Sequence, residues 1–210
     1  MWKGIFVALA LAAGMAHAQQ WEVGVSGGYG YAPSLTVKSP AGSASAGFNN
    51  GAAFGVFGGN DTYDYWSGEA RYLYRESSLN LSSGSTSVDF PAHTHLLTGA
   101  FLAHLRPRSA HIRPFIAFGG GLRIFDGTGH ESAGQPLGNI AALTHTQEVL
   151  PTADLCAGVK VNVSAHLRVR VEIRDYLGPP PSKVITSAPG GSISGWLNDI
   201  QGLVSVSYTW

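Results

Sequence analysis

Residues 167–176 read Leu-Arg-Val-Arg-Val-Glu-Ile-Arg-Asp-Tyr, and this run constrains the fold more than any other part of the chain. Leu167, Val169, Val171 and Ile173 are apolar, while the interleaved Arg168, Arg170, Glu172 and Arg174 are charged. A period of two in a run rich in β-branched residues is a strand with two unlike faces. In a water-soluble protein the apolar face would line the core. In a transmembrane barrel the sense inverts, with apolar residues toward lipid and charged residues toward the lumen. The strand alone does not choose between these.

The first residues bear on the choice. Met1-Trp2-Lys3 is a short basic start, residues 5–13 are apolar, and Ala16-His17-Ala18 ends on a small-x-small pattern. These are the parts of a secretory signal peptide cleaved after Ala18. The apolar part is shorter than the roughly 20 residues a spanning helix needs. The expected organisation is a signal peptide over residues 1–18 and one β-barrel domain over residues 19–210. Thirteen Lys and Arg balance thirteen Asp and Glu, and loss of Lys3 leaves the acidic groups one ahead. With no basic excess to neutralise phosphates, nucleic acid is excluded as a partner. Cys156 is the only cysteine, so a disulfide within the chain cannot hold the domain. No apolar run in residues 19–210 is long enough for a membrane helix.

Eight segments alternate. Residues 21–31 set Trp21, Val23, Val25 and Tyr29 against Ser26, Gly28 and Gly30. Residues 51–59 group Ala52, Phe54 and Val56. Residues 65–75 place Trp66, Ala70, Tyr72 and Tyr74 opposite Glu69, Arg71 and Arg75. In residues 95–105, Leu97, Phe101, Ala103 and Leu105 oppose a mixed face of Leu96, Thr98, Leu102 and His104, which leaves the register open. Residues 113–125 set Ile116, Phe118, Leu122 and Ile124 against Ala117, Gly119, Gly121 and Arg123. Residues 152–163 oppose Ala153, Leu155, Val159, Val161 and Val163 to Asp154, Cys156, Lys160 and Asn162. After the opening strand, residues 197–210 carry Ile200, Val204, Val206, Tyr208 and Trp210 against Asn198, Gln201, Ser205, Ser207 and Thr209.

The connections alternate too. Residues 32–50, 76–91, 126–147 and 177–195 are long and rich in Ser, Gly or Pro, whereas those near Asn60, Pro107 and Ala165 are short. An even strand count, segments of about 9–11 residues and long loops alternating with short turns describe an outer-membrane barrel. The fold class expected is all-β: an eight-stranded antiparallel up-and-down transmembrane β-barrel with four long extracellular loops and three short periplasmic turns. Trp21, Tyr31, Trp66, Tyr74, Tyr208 and Trp210 fall near the expected membrane borders, as interfacial girdles do.

The run Arg113-Pro114-Phe115-Ile116-Ala117-Phe118-Gly119-Gly120-Gly121-Leu122 and the ending over residues 202–210 carry a resemblance. They resemble the small eight-stranded outer-membrane barrels, the outer-membrane-protein-A-like transmembrane domain, and within them the outer membrane protein beta-barrel domain group. The resemblance implies that Gly202, Tyr208 and Trp210 belong to the signal read by the outer-membrane assembly machinery. Trp210 stands where the family more usually ends on Phe.

The lumen candidates are Glu69, Arg71, Arg75, Arg123, Asp154, Lys160, Arg168, Arg170, Glu172 and Arg174. Charges in an interior just wide enough for side chains must pair or be hydrated. A salt-bridge network filling the barrel is the first reading, and a narrow anion-favouring pore through an Arg-rich lumen is the alternative. His93 and His95 share a face and could meet His130, Glu131 or His145, but the ligand set is incomplete, so no metal and no cofactor is expected. His104 and Ser109 lie near one short turn without an evident orienting acid, and no Gly-x-Ser-x-Gly elbow occurs, so no enzyme is expected, a lipid-modifying one being the remote alternative. The expected role is a scaffold displaying surface loops for adhesion or envelope integrity. Its expected partners are outer-membrane lipid, the assembly machinery and an extracellular ligand met by the loops.

Overall fold

The computed structural model describes residues 20–61, 63–127 and 135–210; residues 1–18, read above as a signal peptide, and His130 and Glu131 lie outside them. Among the described residues thirteen strands form. Eight are long: β1 (Gln20–Tyr31), β4 (Gly51–Asp61), β5 (Trp66–Ser83), β6 (Thr86–His104), β7 (Ile112–Gly127), β9 (Gln147–Asn162), β10 (Leu167–Gly178) and β13 (Leu197–Thr209). Five are short: β2 (Leu35–Ser39), β3 (Gly42–Phe48), β8 (Ala141–Leu143), β11 (Ile185–Ser187) and β12 (Ser192–Ser194). The long strands pair antiparallel in the order β1-β4-β5-β6-β7-β9-β10-β13, and β13 pairs with β1, closing the ring. Closure satisfies the backbone of every long strand on both sides, which a sheet in lipid requires.

The faces point in the inverted sense. Val25, Phe54, Phe101, Ile116, Val171 and Ile173 are each more than half exposed, while Arg71, Arg170, Glu172 and Arg174 are at most 2 % exposed. On β6, Leu97 and Phe101 point outward and Leu96, Thr98, Leu102 and His104 inward, which settles its register. Among the described residues, no helix is long and apolar enough to cross a membrane; the strands make the crossing.

Two connections, one short and one long, differ from expectation. Gly59, Asn60 and Asp61 do not turn; they continue β4, pairing as Trp21↔Asn60 and Gln20↔Asp61. Residues 76–91 are not a loop. β5 and β6 pair without a break from Trp66↔Ala103 to Ser83↔Thr86, and the hairpin turns through Gly84, whose φ of 58° suits a residue without Cβ. The Ser-rich composition hides an alternation in which Leu79 and Leu81 point inward.

The other long connections fold as well. β3 takes over from β4 as the neighbour of β5, followed by β2 and then β12, while β8 pairs with β11. Leu35, Val37, Phe48, Leu79, Phe125 and Leu197 join residues of β8 and β11 in one apolar core. The loops and strand ends therefore make a dome over the barrel, with its own hydrophobic interior.

The change of sense falls on one row. Outward-facing Glu76, His93, Asp126 and Gln147 are successive neighbours across β5, β6, β7 and β9. Below the row the outward positions are Tyr74, His95, Ile124 and Val149; above it they are Ser78 and Pro91. The switch in outward polarity at this row is where the outer edge of the bilayer is expected.

Candidate functional site

The barrel interior holds eight buried cations, Arg71, Arg75, Arg113, Arg123, Lys160, Arg168, Arg170 and Arg174. Among the described residues it also holds the buried carboxylates Glu22, Asp61, Glu69, Asp154, Glu172 and Asp199, while a seventh, Glu148, is buried at the base of the dome and accepts from the Lys183 backbone N–H at 2.7 Å. The strand pleat aims each of them inward, and they sort into tiers along the barrel axis.

At the periplasmic end, Lys160 Nζ lies 2.8 Å from Glu22 Oε2, and Arg168 and Arg113 reach Asp61 Oδ2 at 2.7 and 3.0 Å. Ser207 donates to Glu22 Oε1 at 2.8 Å. In the middle tier, Arg170 pairs with Glu69, and Arg71 bridges Glu69 at 3.0 Å and Glu172 at 2.7 Å. Arg174 spans Asp154 at 2.6 Å, Glu69 at 3.1 Å and Glu172 at 3.2 Å. Arg170 also meets Glu22 at 3.1 Å, joining the two tiers. The Phe57 ring lies between Arg71 and Arg170, 4.8 and 4.4 Å from their guanidinium carbons. A Cβ at Gly24 would fall 2.5 Å from Phe57, so the inward glycine makes room for that ring.

Above the middle tier the lumen turns apolar. Leu73 and Tyr176 come from β5 and β10, Leu96 and Leu203 from β6 and β13, and the ring order makes each pair of strands diametrically opposed. With Ala53 they form one cluster at 0–1 % exposure, so walls on opposite sides meet. Higher still, Asp199 accepts from Arg75 at 2.9 Å, Arg123 at 2.8 Å and Gln201 at 3.1 Å. Arg75 also donates to the carbonyls of Asn49 at 2.9 Å and Gly30 at 3.3 Å. A channel one water wide would leave these side chains in contact with solvent. They are buried.

All ten lumen residues named from the sequence lie inside the barrel and in these tiers. Four charged residues were missed. Glu22 and Arg113 have inward parity in their strands, legible once the face was assigned. Asp61 was hidden by reading its segment as a turn. Asp199 was displaced by Asn198, which shares the parity of Ile200 and is not a lumen residue; Asn198 donates instead to Asp175.

The remaining candidates separate. Tyr74 and His93, and Tyr72 and His95, make 2.8 Å hydrogen bonds on the outward face. Among the described residues, no group of three His, Cys, Asp or Glu is placed to hold a metal ion. His104 meets Ser67, not Ser109: Ser67 Oγ lies 2.9 Å and Asp61 Oδ1 3.7 Å from His104 Nε2. A relay needs the acid on the opposite ring nitrogen, so this geometry does not activate the serine. Cys156 is buried in the lumen wall, its Sγ 3.6 Å from Glu172 Oε2.

The family model described as outer membrane protein beta-barrel domain matches residues 5–179. No curated protein sequence matches the chain. Among solved structures, the chain is similar to OprG from Pseudomonas aeruginosa, with a TM-score of 0.60 and 9 % identity over 90 % of this chain and 95 % of that one. It is similar to Neisserial surface protein A with a TM-score of 0.54 and 9 % identity, covering 92 % and 97 %. The outer membrane protease OmpT from Escherichia coli gives 0.52 and 8 % identity, covering 92 % and 98 %. At these identities the likeness is one of fold.

Proposed function

The chain belongs to the outer membrane protein beta-barrel domain family, and from that footing we propose that it is a sealed outer-membrane scaffold whose work is done by its surface dome. The observation that carries this reading is the apolar layer of Leu73, Leu96, Tyr176 and Leu203 meeting across the lumen. Among these four side chains only the Tyr176 hydroxyl is polar, too little to replace the hydration of a crossing ion. The ionic tiers on either side are paired internally, so their charge holds the walls together and selects no permeant anion. The roles left are structural and interactive: envelope integrity, and adhesion through an extracellular ligand that meets the dome.

Conductance across a planar bilayer tests this. The purified barrel is expected to give none, and stable anion-selective steps would establish the pore instead. No catalytic role is proposed, because Ser67 and Asp61 approach the same nitrogen of His104. Two further parts belong to the proposal. Export through the segment ending at Ala18 predicts a mature N-terminus at Gln19, readable by terminal sequencing. Gly202 and Tyr208 face outward on β13 and exposed Trp210 follows its end, with the rings of Tyr208 and Trp210 stacked at 6.2 Å, where assembly machinery would meet them.

A further inference from the structure

Above the membrane edge, β12, β2, β3, β5 and β6 form one outward face of hydroxyls. Ser194, Thr36, Ser45, Ser82 and Ser87 are consecutive partners across those five strands. Neighbouring strands set such groups about 4.8 Å apart, and alternate residues along a strand about 6.7 Å apart. The hydroxyls of Thr36, Ser45, Ser82 and Ser194 make no hydrogen bond within the described residues. The face carries little charge. Lys38 stands in it, and Asp89 is held by Asn80 at 2.9 Å and Asn49 at 3.0 Å.

This face continues the lipid-contacting wall. β5 and β6 pair in unbroken register from Trp66 to Ser83, so the side that presents Tyr72 and Tyr74 to lipid presents Ser78, Asn80 and Ser82 above it. Between the zones lies a notch of about 330 Å³ bordered by Asn50, Glu76, Ser78, Pro91 and His93. Ser82 is six residues beyond Glu76, roughly 20 Å along the strand. A lipid of the outer leaflet beside β5 and β6 thus has its chains against the aromatic wall and its headgroup at the notch. Whatever extends beyond the headgroup lies along the hydroxyl rows.

We propose that this face is a contact surface for the saccharide of outer-leaflet glycolipid. Each Ser or Thr hydroxyl donates one hydrogen bond and accepts two, matching sugar hydroxyls in kind. Short side chains lose little entropy when fixed, and the near absence of free charge suits a neutral polyol better than a phosphate or a cationic peptide. The surface stands on the membrane placement and is independent of whether the lumen conducts.

The test uses the full mature barrel in nanodiscs, with native mass spectrometry counting retained glycolipid. Lipid bearing its complete saccharide is compared with the same lipid truncated to its innermost sugars. The Thr36→Ala, Ser45→Ala, Ser82→Ala triple variant changes small outward-facing side chains, two exposed and one half-buried, and should keep its unfolding midpoint. It should retain about tenfold less of the complete lipid, as loss of three net hydrogen bonds implies, and no more than the parent retains of the truncated one. Equal retention of both lipids, or retention unchanged in the variant, overturns the proposal. So does equally tight binding of the free oligosaccharide without its lipid, which would make the face a soluble-glycan receptor. Conductance plays no part in this readout, so a failed seal and a failed glycan face are told apart.

Discussion

Below the row of Glu76, His93, Asp126 and Gln147, the strands bury Arg and Glu and expose Val and Phe. Above it the same strands bury Leu and Phe, and expose Ser and Pro. β5 makes the change within four residues, from inward Arg75 to inward Leu79. Strand geometry is the same on both sides, so the sense of a face is set by the solvent outside it. Lipid gives no hydrophobic reward for an apolar core and forbids unpaired backbone, so closure and ion pairs hold the lower region. Water rewards burial, so the dome is held by its apolar interior.

If ion pairing holds the lower region, removing its hub should cost most. Arg170 faces Glu22, Glu69 and Glu172 at 1 % exposure. Arg170→Ala is expected to destabilise the barrel by about 3–5 kcal/mol, the usual result of leaving buried charge without its partner. Urea unfolding in lipid vesicles, followed by tryptophan fluorescence, measures it. Adding Glu69→Gln should recover part of the loss, since coupled neighbours are not additive. A loss under about 1 kcal/mol, as for a solvated pair, would mean that water fills the tiers.

The dome should fail separately. Leu81 is fully buried in the apolar core, and Leu81→Ala is expected to cost about 2–5 kcal/mol there. The lower barrel does not depend on that core, so heat-modifiable migration on a gel should persist while the dome becomes open to protease. Loss of both together would show that the two regions form one cooperative unit.

This contrast also explains what was legible in the sequence. Residues 167–176 alternate so strictly that strand and inward Arg168, Arg170, Glu172 and Arg174 could be read directly. Residues 76–91 alternate as well, with Leu79 and Leu81 inward, but serine on the other face reads as a spacer by composition. The lower barrel was legible because its two faces differ most in polarity. The dome was not, because its strands are short and their apolar residues pair across distant segments, as Ile185 does with Leu143. Asp199 shows the smaller failure: one misassigned parity, at Asn198, removed the carboxylate that joins Arg75 and Arg123.

A charge moved to the outside sharpens the boundary. Val171 is 58 % exposed on the lipid face, and Val171→Arg should impair folding into bilayers by about 2–4 kcal/mol, the midplane cost of Arg. Folding yield against lipid thickness reads this out, and thinner bilayers should reduce the penalty.

The smallest effect is expected from the same residue placed above the row. Ser82 points outward like Val171, and on β5 it lies six residues beyond Glu76. Water solvates an arginine there, so Ser82→Arg should change stability by no more than about 0.5 kcal/mol. Single arginines at Tyr72, Tyr74, Ser78 and Ser82 then form a depth series on one continuous face. The penalty should fall steeply between Tyr74 and Ser78, because Glu76 already tolerates a charge between them. A penalty still present at Ser82 would put the membrane edge higher and the lower dome in lipid. Its apolar interior would then have no water to drive it, and the comparison between the two regions would collapse.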